Sequence, residues 1–180
     1  MNKYTVLSVT LFALAFPTVA QQHVHGQGKM LIAQQDNTWH VQFVLPAINV
    51  LGFEHKPETQ EQHKLVSEIT TKFMNHTSVL ELNGDCTLTH TENSLTEHES
   101  HDDNEHDAEN EHHSEEEHSS HQHGDIEVEY IYSCQSKVTQ MSVTLFTWIN
   151  SLTSIEAQWI LDKGQGLTVL NHDDPVVAWL

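Results

Sequence analysis

From residue 98 to residue 123 the chain reads HESHDDNEHDAENEHHSEEEHSSHQH, with a single alanine as its only apolar residue. A segment that buries no apolar surface cannot offset the entropy of ordering its backbone. These 26 residues therefore stay outside any core, and the fold must be built from the chain on either side of them. The run holds eight of the sixteen histidines: His98, His101, His106, His112, His113, His118, His121 and His123. Imidazole suits zinc, copper and nickel, and carboxylates beside it accept the second ring proton and raise its basicity. All eight are candidate ligands of a metal-capturing loop. The competing reading is a solvated acidic linker, but the density of histidine favours metal.

Residues 1–20 carry Lys3, then an apolar run ended by Pro17, and close on Thr18-Val19-Ala20. This is the pattern of a secretory signal peptide, too short in its apolar part to span a bilayer. Cleavage after Ala20 leaves residues 21–180 as one exported domain with no later membrane insertion, interrupted by a flexible loop over residues 92–125. Its 6 lysines face 26 acids with no arginine, a charge of −20 with histidine neutral. Nothing there could neutralise phosphates, which excludes nucleic acid as a partner. A metal cation fits, and its binding would relieve self-repulsion. The domain is expected to be a monomer.

Cys86 and Cys134 flank the histidine-rich run. In an exported protein an even pair is expected to form a disulfide, with zinc ligation as the alternative. Residues 29–34 and 39–45 flank the turn dipeptide Asp36-Asn37 and predict a β-hairpin, with His40 and Gln42 facing solvent. Leu65, Val66, Ile69 and Phe73 predict one amphipathic helix over residues 58–76, with Pro57 in its first turn and His63 exposed. Residues 86–90 and 126–134 both alternate. Pairing them with Cys86 opposite Cys134 sets Leu88 against Tyr132 and His90 against Tyr130, so the histidine-rich run becomes the tip of an extended hairpin. Alternation continues at Met141, Val143 and Leu145, and from Ile155 to Leu161. Asp162-Lys163-Gly164 then turns the chain into residues 167–170. The expected class is α+β: a mainly antiparallel sheet, one amphipathic helix, and a long disordered loop inserted in a hairpin. A β-sandwich with one helix is the alternative.

A second place for metal chemistry is the mature N-terminus, Gln21-Gln22-His23-Val24-His25-Gly26. On an extended segment His23 and His25 point to the same side. His55, beside Glu54, is the first choice for a further ligand of a tetrahedral zinc site. If cleavage follows Ala20, His23 is the third residue of the mature chain, and a free amine, two amides and that imidazole would suit Cu(II) or Ni(II) in a square plane. Enzyme motifs are absent: no H-E-x-x-H, no G-x-S-x-G and no phosphate loop. The chain is read as a binder and not an enzyme. His76, His90 and His172 are read as exposed or hydrogen-bonded residues without a role.

His23-Val24-His25-Gly26, then Gly52-Phe53-Glu54-His55 followed by Pro57, a His/acid-rich insertion before Tyr132-Ser133-Cys134, and the closing Gly164-Gln165 and Trp179 resemble the ZrgA family of periplasmic zinc-uptake proteins. The resemblance covers essentially the whole mature chain. It implies a periplasmic protein that binds Zn2+ and passes it to an ATP-driven (ABC-type) zinc importer of the inner membrane. The other function class that fits is a periplasmic buffer or chaperone for zinc or copper.

Overall fold

The computed structural model describes residues 24–96 and 124–179. Strands β1 (Gln27–Gln35) and β2 (Thr38–Pro46) form the expected hairpin, closing at Gln35 opposite Thr38. Asp36 turns the chain at φ 54°, a left-handed conformation that aspartate tolerates better than most residues. Gln34 Nε2 donates to the Asp36 carbonyl at 3.0 Å. The period-two pattern buries Trp39, Val41, Phe43 and Leu45 and leaves His40 and Gln42 on the opposite, open face.

One helical turn, α1 (Ala47–Val50), precedes the amphipathic helix α2 (Gln60–Met74). The longer helix starts later than its apolar pattern suggests, because Thr59 and Gln62 form a capping box there and Pro57 lies before the cap. Val66, Ile69 and Phe73 are its buried stripe, and His63 is exposed. Tyr130 donates its hydroxyl to the Phe73 carbonyl at 2.6 Å, tying the end of α2 to the sheet.

The remaining strands are β3 (Leu80–Leu82), β4 (Cys86–Asn93), β5 (Asp125–Cys134), β6 (Gln140–Val143), β7 (Ser154–Leu161), β8 (Gly164–Asn171) and β9 (Val176–Ala178). They make a six-stranded sheet in the order β4-β5-β2-β1-β7-β8 and a three-stranded sheet in the order β3-β6-β9. Among the described strands every pairing is antiparallel except β1 with β7. The class is α+β, with the inner face of the large sheet, α2 and the small sheet contributing to one apolar core. No helix of the described residues is long and apolar enough to cross a membrane.

Cys86 stands opposite Cys134 and the two form a disulfide. Leu88 pairs with Tyr132 as expected, but His90 does not meet Tyr130. A bulge at Thr89 adds one residue to β4, so His90 faces Ile131 on the open side and Thr91 takes the place opposite Tyr130. Thr89 Oγ1 donates to the Ile131 carbonyl at 3.0 Å within this bulge.

Candidate metal centre

The segment carrying His25 is stapled to the rest of the fold one residue later. Gly26 donates its N–H to Asn49 Oδ1 on α1 at 2.8 Å, and its carbonyl accepts from Thr153 Oγ1 at 2.8 Å. Asn49 Nδ2 donates to the Ser151 carbonyl, and Ser151 Oγ donates back to the Asn49 carbonyl. Sequence patterning has no means of finding Asn49, Ser151 or Thr153, which act through partners about a hundred positions away.

The loop with Glu54 and His55 is aimed at this segment by Gly52. That residue follows the end of α1 at φ +83°, and its N–H donates to the Ile48 carbonyl. A Cβ there would meet no described residue within 4 Å, so glycine serves the backbone angle and not close packing. The chain reverses, and Glu54 Oε1 comes to 3.7 Å from His25 Nε2, with both side chains open to solvent. Two donors on one tetrahedral zinc stand about 3.4 Å apart, so a shift of about 0.3 Å would let this pair share an ion. His55 stacks on Phe53 with ring centroids 5.1 Å apart, and its Nδ1 lies 2.7 Å from the Lys56 carbonyl. A carbonyl only accepts, so Nδ1 is the donor of this bond, and in the neutral ring that leaves the lone pair on Nε2. Metal-binding histidines use this tautomer when Nδ1 donates to backbone.

Among the described residues, no three His, Cys, Asp or Glu side chains surround one point. His25 and Glu54 are brought together and His55 follows directly in the chain, whereas His23 lies outside the described residues. So do His98, His101, His106, His112, His113, His118, His121 and His123. The connection that holds those eight leaves and returns at the same end of the sheet as His25. Beyond β4, Ser94 N–H donates to the Glu127 carbonyl, and Ala47 N–H at the start of α1 donates to the Gly124 carbonyl at 3.1 Å.

Four of the other described histidines have local contacts. His40 Nδ1 lies 3.7 Å from Glu129 and His90 Nε2 lies 3.4 Å from Glu92, both on the open face of the sheet. His172 Nε2 donates to the Leu152 carbonyl at 3.0 Å. His76 packs edge-on against Tyr132, and its buried Nδ1 and the Tyr132 hydroxyl both lack a hydrogen-bond partner among the described residues. Cys86 and Cys134 are consumed by their disulfide and offer no thiolate to a metal.

Compared with known proteins, residues 22–179 match the family model described as ZrgA family zinc uptake protein. No curated protein matches the chain. With the match spanning nearly the whole of its length, the chain belongs to the ZrgA zinc-uptake family.

Proposed function

From that membership we propose that the protein captures Zn2+ in the periplasm, after export directed by residues 1–20, and delivers it to an ATP-driven importer in the inner membrane. His23, His25, Glu54 and His55 form the tighter site. The eight histidines of residues 98–123 collect ions at lower affinity and raise their local concentration. The observation that carries this reading is the His25–Glu54 pair, 3.7 Å apart, at the end of the sheet where the histidine-rich connection departs and returns. A staple of four residues, Gly26, Asn49, Ser151 and Thr153, anchors the chain beside His25, whereas a segment without apolar anchors must be ordered when it binds. Ordering costs free energy, so each loop site is weaker. Imidazole ligands must be deprotonated, so acidification releases the ion.

The test is a calorimetric zinc titration of three forms: the intact mature protein, a form lacking residues 98–123, and a form with His23, His25 and His55 changed to Ala. Loop deletion should lower the stoichiometry and keep the tightest event, and the triple change should abolish that event. Loss of the tightest event on loop deletion would refute the assignment. Repeating the titration with Cu(II) and Ni(II), before and after blocking the N-terminal amine, tests the square-planar alternative at His23.

A further inference from the structure

Opposite the His25 end, the same sheet ends in a cavity that includes none of the proposed zinc ligands. β1 runs from one end to the other, and its nine residues span about 27 Å at a strand's rise. At the far end three of the four tryptophans meet: Trp39 and Trp179 stack with centroids 5.4 Å apart, and Trp159 lies 6.4 Å from Trp179. Trp179 is oriented by its Nε1–H, which donates to the Val138 carbonyl at 2.9 Å. Trp159 lies over Gly166 on the neighbouring strand, where a Cβ would fall 2.3 Å from its Cζ2. The glycine therefore allows that indole to lie flat against the sheet.

A cavity of about 380 Å³ is lined by the half-buried Trp159 and Trp179 and by Trp39, which is itself only 3% exposed and stacked on Trp179; its rim comes from the β1–β2 turn, the β7–β8 turn and the chain just after Cys134. The lining chemistry narrows what could enter. Lys137 and Lys163 are balanced by Asp36 and Asp162, so the rim selects neither an anion nor a cation, although the chain as a whole is strongly acidic. Amides of Gln34, Asn37, Gln135 and Gln165 add donors and acceptors in equal number. An indole face is electron-rich and favours C–H groups bearing partial positive charge. A ligand with a C–H face and a rim of neutral hydroxyls satisfies both halves of the lining, and the volume lies at the small end of ligand pockets. The geometry points to a binding site for an uncharged saccharide of one or two rings at this end of the sheet.

The experiment follows indole N–H resonances and tryptophan fluorescence of the full mature chain in EDTA. The probes are cellobiose, maltose and diacetylchitobiose, with choline and citrate as cation and anion controls. At least one disaccharide should shift the Trp159 and Trp179 signals saturably, with Kd below about 10 mM, a weak but specific affinity. Trp148, whose Nε1–H donates to the Ser78 carbonyl under α2, is the internal control and should not move. Asn37→Ala and Gln165→Ala, both in exposed rim positions, should weaken binding at least fivefold without changing the fluorescence of the free protein. The proposal is overturned if none of the three sugars gives a saturable shift, if choline or citrate shifts the same indoles more strongly, or if both rim variants bind as the parent does.

Discussion

Replacing both Cys86 and Cys134 with Ala should cost the fold about 4 kcal/mol, and the size of the loss depends on the chain between them. The bridge closes a sequence separation of 48. In the chain-entropy treatment, a loop of that length restricts the unfolded chain by about 4 kcal/mol at 25 °C. Removing residues 98–123 shortens the separation to 22, which lowers the expected contribution by about 0.7 kcal/mol. The assay is equilibrium urea unfolding in EDTA, so that bound metal adds nothing to the folded state. With an m-value of about 2 kcal/mol/M, the midpoint of the double-Ala variant should fall by about 2 M, and by about 0.3 M less when the run is absent. Comparing midpoints within each pair cancels the small cavity left by the two sulfurs. A loss below about 1 kcal/mol, or one that grows when the run is deleted, would show that the bridge does not act through the unfolded chain.

Further outcomes follow from burial and local geometry. Burial raises the pKa of both Tyr130 and Tyr132, and for Tyr130 the neighbouring Tyr132 adds to the effect. Unfolded tyrosines ionise above about pH 10 while these stay protonated, so stability is present below that pH and falls above it by about 1.4 kcal/mol per unit for each phenol. Tyr132→Phe should halve that alkaline slope in pH-dependent urea titrations, and among the described residues it strands no hydrogen-bond partner. Thr59→Ala removes the capping box of α2 and should lower stability by about 1 kcal/mol in thermal unfolding. His55→Ala should weaken the tightest zinc event by at least about tenfold, whereas His40→Ala, on the open sheet face, should leave it unchanged. Equal effects of the two changes would undo the site assignment.

Local pattern carried most of the fold into the sequence. The β1–β2 hairpin, the stripe of α2 and the Cys86–Cys134 register all rest on interactions within one element or between neighbouring ones, where a period of two or 3.6 decides which face is buried. What was not legible depends on distant partners. Nothing in Gln27–Gln35 says that β7 will lie parallel beside it, because both strands present the same alternation to any neighbour. The bulge at Thr89 escaped for a related reason: strict alternation assumes no inserted residue, and one insertion was enough to move His90 to the other face. At the proposed site, His25, Glu54 and His55 are singled out by residue type alone, and the structure brings His25 and Glu54 within 3.7 Å. The staple that positions them was hidden in an ordinary Asn, Ser and Thr.

The parallel pairing of β1 with β7 also sets the order of assembly. β1 lies inside the sheet, and its second neighbour comes from Ser154–Leu161, near the other end of the chain. Contacts of such long sequence separation are entropically late, since a large loop must close before they contribute. The Gly26–Thr153 hydrogen bonds beside His25 span 127 positions and belong to this closing step. Zinc affinity at the proposed site is therefore expected to read out folding completion: a chain stalled before β7 docks, or cut short of it, keeps His23, His25, Glu54 and His55 but not the Gly26–Thr153 bonds that position them.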